Sequence, residues 1–411
     1  MTLAFVLALE LTLLPAAQAR PAPPAPVPLT LSAAVTRART SSPFRTSAQN
    51  LATGAALAAQ LAGRTLNPVV EFRTENWGHG SSLPIDVFAT ANQTLELGGK
   101  RAARMGFALA ERDVANANLQ LTDRQLALRT AQLYVQALKA RGLLATLRAS
   151  KEGLSTLIAS VRRRVEEGYS AESDLLRFDT EAARVDIEIA KAGLELDRSL
   201  ASLTVIVGAP EAITAEQLVD PPELAVPAAQ QIALAAAVAR HPEVVAADAR
   251  QARAQQATAL ERARTVPDPT ITLGYKRTAG FNSAVAGVLF AVPLFERNGA
   301  SVARAAGEQS AAAAERNATA RRLEGETTAL IHAAQALSDQ STRAAGELLA
   351  PAESVRNAAR ATFREGTTDV LKLIDAERVY ADVQRVALDL RLDALVATLE
   401  ARFALGEESL P

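Results

Sequence analysis

The chain has 411 residues, enough for two or three domains, and only 4% of them are aromatic although 49% are hydrophobic. Much of the apolar share is alanine, which suits thin, closely packed helices better than one thick core. The formal net charge of −1 excludes a strongly basic surface, so nucleic acid is not expected as a partner. Cysteine is absent, which excludes disulfides, thiolate metal sites and cysteine nucleophiles.

The N-terminal segment has the pattern of an export signal. Residues 1–19 are predicted to be a signal peptide, because 3–16 are mainly apolar and Ala17-Gln18-Ala19 supplies a small-x-small cleavage pattern. A buried N-terminal helix is the alternative, since Glu10 interrupts the apolar run and no Lys or Arg precedes it. Residues 20–29 are predicted to be a Pro-rich extended linker.

The rest of the chain repeats one pattern twice. We predict a first repeat over 30–209, an inter-repeat linker over 210–229 and a second repeat over 230–406. Each repeat has short helical segments, a pair of strands, a long Ala-rich helix, a glycine turn and a return helix. The predicted turns of the two helical hairpins are at Gly168 and Gly366. A strand pair inserted twice into a helical hairpin is not the layout of a compact enzyme.

The strand candidates alternate between apolar and polar residues. They are 70–75 and 87–92 in the first repeat, with 270–276 and the weaker 286–292 in the second. Counted with its flanking residues, each run is about 8–10 residues long, close to the about 9–11 that a tilted membrane strand needs. Later windows are too short or too polar for a membrane-spanning helix, so any crossing has to use strands. Because four strands cannot close a barrel alone, the chain must oligomerise or keep a soluble hairpin packed on its helices.

Two predicted helices are unusually long. Residues 99–167 lack proline and would span about 100 Å as one helix, and 299–365 have almost the same length. In each repeat the two shorter helices, laid end to end, match the long one. Helices of equal reach, side by side, predict the wall of a long tube, and a soluble antiparallel coiled-coil scaffold is the alternative.

Three motifs carry a family resemblance that covers nearly the whole chain after residue 19. They are Glu75-Asn76-Trp77-Gly78, the run Leu95-Glu96-Leu97-Gly98-Gly99-Lys100-Arg101-Ala102-Ala103-Arg104, and Pro293-Leu294-Phe295-Glu296-Arg297-Asn298-Gly299. On these residues the chain resembles the TolC-type outer-membrane efflux family, and within it the cobalt-zinc-cadmium resistance (CzcC-like) branch. At the strand–helix junctions the expected role is structural, because a glycine pair can end a strand and turn the chain into a helix. The junction residues are Gly98, Gly99, Lys100, Arg101, Arg297, Asn298 and Gly299.

The resemblance implies a mainly α fold with a small β part. Long antiparallel helical hairpins would form an α-barrel, and each subunit of a homotrimer would give four strands to one transmembrane β-barrel. The implied partners are a periplasmic adaptor protein, an inner-membrane pump of the resistance-nodulation-division type and outer-membrane lipid. Such a protein would lie in the bacterial outer membrane, extend into the periplasm and export divalent heavy-metal cations, or alternatively organic compounds.

The same resemblance places acidic residues around the periplasmic aperture, just beyond the glycine turns. Asp174 and Asp375 occupy such positions, whereas Lys372 stands where an acidic residue is usual. Rings of carboxylates favour cations. Lys372 and Asp375 are three residues apart and could pair on a helix, which would weaken a cation filter.

Enzymatic and metal-binding interpretations have little support. His79, His241 and His332 are far apart in sequence, and neither a Gly-rich phosphate loop nor a Gly-x-Ser-x-Gly elbow occurs. We therefore expect a protein that is not an enzyme and has no catalytic residue, bound metal or cofactor.

Overall fold

The computed structural model describes residues 27–76, 85–228 and 234–407. The predicted signal peptide, residues 20–26 of the Pro-rich linker, and Trp77, Gly78 and His79 of the first hairpin lie outside these ranges. In the described part, no helix is both long and apolar enough to cross a membrane.

Long helices and one sheet make up the described chain, which confirms the predicted mainly α fold with a small β part. The first repeat contains α1 (Leu31–Ser41), α2 (Pro43–Leu61), β1 (Val69–Glu75), β2 (Asp86–Thr94), α3 (Lys100–Glu166) and α4 (Glu172–Ile206). The second contains α5 (Leu234–Ala239), α6 (Pro242–Ala263), β3 (Thr270–Thr278), β4 (Phe281–Leu289), α7 (Gly299–Arg343), α8 (Ala350–Arg364) and α9 (Val370–Ala404).

Helix α3 is the central element of the helical part. It runs for 67 residues and packs against α2, α4, α6 and α9. Small side chains such as Ala117, Ala127 and Ala131 are buried along it, which lets neighbouring helices approach closely. The alanine-rich composition therefore serves packing between helices rather than a thick core.

The second long helix differs from the sequence-based expectation. Residues 299–365 were predicted as one helix like α3, but a π-helical segment, Ala344–Leu349, separates α7 from α8. Pro351 explains the difference, because proline lacks a backbone N–H and its ring would clash with the carbonyl of Glu347 in a regular helix. Widening the preceding turn relieves that clash while the chain stays helical.

The four strands form one antiparallel sheet in the order β1-β2-β3-β4. Its register places apolar residues from all four strands on one face, with Val70, Ala91, Leu273 and Ala286 in one row and Phe72, Ala89, Tyr275 and Ala284 in the next. The opposite face is mixed, because it carries Glu71, Arg73 and Lys276 together with Val69, Phe88 and Leu289. On this face the guanidinium of Arg73 lies 4.7 Å and the ammonium of Lys276 5.3 Å from the ring centre of Phe88. The sheet thus has one continuous apolar side.

The last strand is displaced from its predicted position. The sequence indicated a strand over 286–292, whereas β4 begins at Phe281 and ends at Leu289. The reason is the turn, because Ala279 and Gly280 both have positive φ, 50° and 87°. A two-residue turn of this kind joins antiparallel strands directly, so β4 starts as soon as β3 ends.

The segments on either side of the first repeat meet in space. Leu29 forms a parallel bridge with Leu218, from the region predicted as the inter-repeat linker. The buried Tyr134 of α3 fastens both, since its hydroxyl lies 2.7 Å from the Leu29 carbonyl oxygen and accepts a hydrogen bond from Val219 N at 2.9 Å. Together with α1 they form a belt around the middle of α3, covering the largest hydrophobic cluster.

Candidate functional site: helix tips and strand–helix junctions

The two helical hairpins turn in the same way. Gly168 and Gly366 have φ of 79° and 77°, a left-handed conformation that favours glycine. After each glycine the chain folds back with matching hydrogen bonds, from Tyr169 N to Arg164 O at 2.7 Å and from Thr367 N to Thr362 O at 3.0 Å. These bonds satisfy carbonyl groups near the helix end, so the two tips turn with the same backbone geometry.

The two tips touch each other. The guanidinium of Arg164 donates to the carbonyl oxygens of Phe363 at 3.2 Å and Arg364 at 3.1 Å, and it lies 4.8 Å from the ring centre of Phe363. A cation is favourable there because the last carbonyls of α8 carry partial negative charge. Arg164 therefore links the first hairpin to the second at the very end of the helical part.

The predicted aperture residues all lie within the first turns after the tips. Asp174 is half-buried in the first turn of α4, while Lys372 and Asp375 are exposed on α9. Among the described residues, no ion pair joins Lys372 to Asp375. Instead, Asp375 lies near Arg378, whose pKa is raised first by its hydrogen bond to Glu181 and further by the charge of Asp375.

A buried carboxylate, Glu181, was missed by the sequence analysis. Its side chain is 4% exposed, accepts a hydrogen bond from Arg184 Nη2 at 2.7 Å on α4, and accepts another from Arg378 Nε at 2.9 Å on α9. Burial alone would raise the pKa of Glu181, but the hydrogen bonds from Arg378 and Arg184 outweigh it and lower the pKa. The sequence feature that could have identified Glu181 is its position on the buried face of α4, between Phe178 and Val185.

A cleft of about 730 Å³ lies along α3 between α4 and α9. Charges of both signs alternate along it, including Lys139, whose ammonium lies 3.2 Å from Asp389 and 3.1 Å from Asp393. Glu181, Arg184 and Arg378 also line it. Because positive and negative groups are interleaved, this cleft does not favour ions of one sign.

The first strand–helix junction is held by ionic contacts. Gly98 and Gly99 have φ of 65° and 75°, and a Cβ on Gly98 would lie 2.6 Å from Val266 Cβ. Asp268, at the start of the second strand pair, accepts from Leu97 N at 2.9 Å and pairs with Lys100 at 2.7 Å. Lys100 therefore ties the end of the first strand pair to the beginning of the second.

Arginines connect this junction to the segment that follows α2. Arg101 Nε donates to Gly63 O at 2.5 Å, and Arg104 binds the carboxylate of Glu96 through two nitrogens, at 2.5 and 3.0 Å. Such bidentate pairing fixes orientation as well as distance.

The second junction reproduces the first with different residues. Asn298, with φ of 60°, takes the place of Gly99 before the long helix, and its side-chain amide donates to Glu261 O at 2.9 Å. Gly299 N donates to Glu296 at 3.0 Å, and Arg297 Nε donates to Pro293 O at 3.2 Å. Asp268 and Glu261, the acidic partners at the two junctions, were not singled out in the sequence.

No cluster that could hold a metal ion occurs among the residues the structure describes. Of the two described histidines, His241 caps α6 by accepting from Glu243 N at 3.2 Å. Burial, followed by the nearby charge of Arg124, lowers the pKa of His241. His241 thus has a structural role at a helix start.

Two helical hairpins that each carry a strand pair, with touching tips and matching junctions, define a duplicated hairpin fold in which the sheet stands at one end. Comparison with known proteins assigns this fold to a family. The chain belongs to the outer membrane efflux protein family, whose model matches residues 71–209 and 233–407. The resemblance found in the sequence is thereby confirmed.

Individual relatives agree with this assignment. The chain is 30% identical over 300 residues to the cobalt-zinc-cadmium resistance protein CzcC of Cupriavidus metallidurans, covering 71% of this chain and 70% of the relative. It is also 30% identical to the nickel and cobalt resistance protein CnrC of the same organism, covering 64% of each chain. The crystal structure of the outer membrane protein VceC from Vibrio cholerae superposes with a TM-score of 0.75 at 19% identity, covering 92% of this chain and 96% of that one.

Proposed function

We propose that this protein is the outer-membrane exit channel of a tripartite efflux system and that it exports divalent heavy-metal cations. The proposal that metal cations are exported rests on the 30% identity, over 71% of the chain, to a cobalt-zinc-cadmium resistance protein. The proposed channel is a homotrimer that lies in the bacterial outer membrane and extends into the periplasm. Its action is conduction, which needs no reacting group.

The shape of the subunit supports a conduit. Helix α3 has 67 residues and therefore spans about 100 Å, far more than a compact domain needs. At the other end, the sheet has an apolar face on which Phe72 is 78% and Leu273 59% exposed. An apolar outer face and a polar inner face are what strands around a membrane pore require.

The tips supply the proposed periplasmic aperture. Asp174, Lys372 and Asp375 all lie within a few residues of the turns, and three subunits around an axis would repeat each charge three times. Asp174 and Asp375 would attract cations, and Lys372 would reduce that attraction. Because Lys372 is not paired with Asp375 in the described chain, its charge would act on the aperture directly.

The proposed partners are a periplasmic adaptor protein and an inner-membrane pump of the resistance-nodulation-division type. Membership of the efflux family supports these two partners. An exit channel also needs a source of energy, which its own helices and sheet do not supply. The tips are the end of the subunit farthest from the sheet, so cargo would enter there.

Deletion of the gene in its host tests the cargo. We expect the deletion strain to become sensitive to zinc, cobalt or cadmium salts and to retain more of these metals, with recovery when the gene is restored. Sensitivity confined to organic compounds such as dyes or detergents would contradict the metal assignment. The mass of the detergent-extracted protein, measured by light scattering, tests the trimer separately.

A further inference from the structure

Two cations flank one aromatic ring on the mixed face of the sheet. Arg73 of β1, Phe88 of β2 and Lys276 of β3 are neighbours in one row across three strands. The guanidinium of Arg73 lies 4.7 Å and the ammonium of Lys276 5.3 Å from the ring centre of Phe88. An aromatic ring attracts a cation within about 6 Å of its centre. Phe88 therefore holds both charges at one level of the sheet.

The curvature of the sheet turns this face inward. Along β3 the residues of the mixed face, such as Thr272 and Lys276, are half-buried, whereas Leu273 and Arg277 on the apolar face are exposed. On β4, Val285 of the mixed face is half-buried while its neighbours along the strand are exposed. A curved sheet covers the side chains on its concave side more than those on its convex side, as in a barrel. In a closed ring of strands, Lys276 would therefore face the pore.

The two cations differ in how their charges are balanced. Arg73 Nε lies 3.1 Å from Glu75 Oε1, so Arg73 has a carboxylate partner on its own strand. Lys276 forms no ion pair with any residue that the structure describes, and its ammonium contacts the ring of Phe88. Counting Glu75 with Arg73, the row that contains Lys276 keeps one positive charge per subunit.

The remaining acidic groups of the mixed face lie in other rows and do not cancel that charge. Asp86 is 8% exposed, and its two oxygens accept hydrogen bonds from Ala279 N at 2.9 Å and Asn76 Nδ2 at 3.3 Å. Glu71 is two residues from Arg73, or about 7 Å nearer the helices along the strand. That separation is close to the Debye length of about 8 Å in physiological salt, so each row keeps much of its own potential.

We propose that Lys276 is a selectivity-determining residue of the channel, which hinders cations that enter the pore at the sheet end. The inference rests on the proposed trimer, in which three copies of Lys276 would form one ring of positive charge inside the strands. The same potential acts on a divalent cation with twice the energy that it has for a monovalent cation, so divalent cations are hindered most.

This ring gives the two ends of the channel opposite effects on cations. At the proposed aperture Asp174 and Asp375 attract them, whereas Lys276 repels them at the sheet end. A pore with attraction at one end and repulsion at the other conducts cations more easily from the attracting end to the repelling end. Exported divalent cations would therefore pass outward more readily than they re-enter.

Single-channel recording of the trimer in planar lipid bilayers tests this role. Lys276→Gln should raise the permeability of potassium relative to chloride about twofold in potassium chloride, as measured by the reversal potential. In magnesium chloride the rise should be about fourfold, because doubling the ion's charge squares the effect. The difference between inward and outward currents of the natural chain should become smaller in Lys276→Gln.

The next residue along the strand provides a matched control. Arg277 carries the same charge and is exposed on the opposite, apolar face, so Arg277→Gln should leave both permeability ratios unaltered. Lys276→Arg keeps the charge and should behave like the natural chain. If Lys276→Gln is not recovered as a trimer, Lys276→Thr serves the same purpose, because threonine already occupies positions 272 and 278 of this face.

The possible results separate this inference from the proposed channel. Unchanged permeability ratios in a conducting trimer with Lys276→Gln or Lys276→Thr would overturn the role of Lys276 and leave the channel intact. An equal rise with Arg277→Gln would also overturn it, because charge on either face would then act alike. A natural chain that is monomeric in detergent and does not conduct would overturn the proposed channel itself, and this inference with it.

Discussion

Glu181 shows what a single buried charge does in this protein. It connects α4 of the first repeat to α9 of the second through Arg378, and it holds Arg184 on its own helix. Hydrogen bonds to charged groups contribute about 1.5–3 kcal/mol, and partial exposure of both arginines reduces that figure. The Glu181–Arg378 contact lies farther from the tips than the contact of Arg164 with Phe363 and Arg364. Two separate polar contacts therefore join the hairpins near their tips.

Replacement of Glu181 by glutamine should destabilise the helical part by about 1–2 kcal/mol, because two arginines lose their charged acceptor. The matched control is Glu188→Gln, which removes a partly exposed partner of the same Arg184 and should change stability by less than about 0.5 kcal/mol. Thermal unfolding followed by circular dichroism measures both. Equal effects of the two substitutions would contradict a special role for the buried carboxylate.

The Glu181 contribution should also depend on pH. Because folding lowers the pKa of Glu181, its stabilisation is complete above the ordinary carboxyl pKa and is lost as the pH falls through the lowered value. The stability difference between the natural chain and Glu181→Gln should therefore be constant near neutral pH and shrink below about pH 4. Denaturant unfolding at a series of pH values checks this. A difference that persists in strong acid would show that Glu181 stabilises by packing alone.

Residue roles were only partly accessible from the sequence. The places of Asp174, Lys372 and Asp375 after the glycine turns could be predicted, because distance along a helix is set by counting residues. The residues around them could not be predicted, since Arg378, which lies near Asp375, bonds Glu181 at a sequence separation of 197 residues. Contacts between distant segments depend on how helices pack, and alternation patterns on one helix do not specify that.

At the scale of elements, the glycine turns are not equivalent in what surrounds them. Gly208 follows the end of α4 with φ of 62°, and a Cβ there would collide with the carbonyl oxygen of Ser41, the last residue of α1. Gly168 has a similar backbone conformation but nothing within 4 Å of the position of a Cβ. One turn is constrained by its neighbours and the other only by its own backbone.

Gly208→Ala should therefore destabilise the protein by at least about 2 kcal/mol more than Gly168→Ala. Each substitution places alanine in a left-handed conformation, at a cost of about 1–2 kcal/mol, and only the first adds a collision with backbone. Urea unfolding of the two variants gives the comparison. Similar losses at both sites would mean that the α1–α2 connection shifts easily.

The sheet supplies a prediction about its two faces. Phe72→Lys and Leu273→Lys place charge on the apolar face and should each cost about 2–4 kcal/mol near the middle of a membrane. Glu71→Lys and Thr272→Lys change neighbouring residues on the polar face and should be mild. The amount of protein recovered in the outer membrane, together with unfolding in lipid vesicles, measures the difference. Equal tolerance at both faces would contradict a membrane-spanning sheet.

The elements show where sequence patterns are sufficient. Strand alternation and the absence of proline in α3 are local properties, and the sheet faces and the length of α3 follow from them. The two differences, at β4 and between α7 and α8, depend on Ala279 in a left-handed turn and on Pro351 inside a helix. Alanine rarely adopts positive φ, and proline usually ends a helix, so neither outcome follows from residue preference alone.

On the scale of the whole molecule, the proposed trimer would complete what a single subunit leaves open. In the part of the chain that the structure describes, β1 and β4 each pair on one side only. In the proposed trimer, the charges near the hairpin tips of three subunits would come close together. Each chain contributes two hairpins and two strand pairs of similar structure, and a trimer would repeat these units around one axis. Closed threefold symmetry would act at the sheet and at the tips together, because every strand edge and every tip would then lie beside an equivalent neighbour.

The aperture charges provide the last test of this assembly. Lys372→Ala should raise the preference for cations over anions in single-channel recordings, because a threefold ring loses positive charge beside Asp174 and Asp375. Asp375→Ala should lower that preference, and it should do so more strongly at low salt, where charges are less screened. Glu308→Ala, which removes an exposed partner of Arg304 on α7, is the control and should leave ion preference unaltered. If Lys372→Ala and Asp375→Ala also leave it unaltered, these residues are solvated charges at a helix start, and the narrowest point of the channel lies elsewhere.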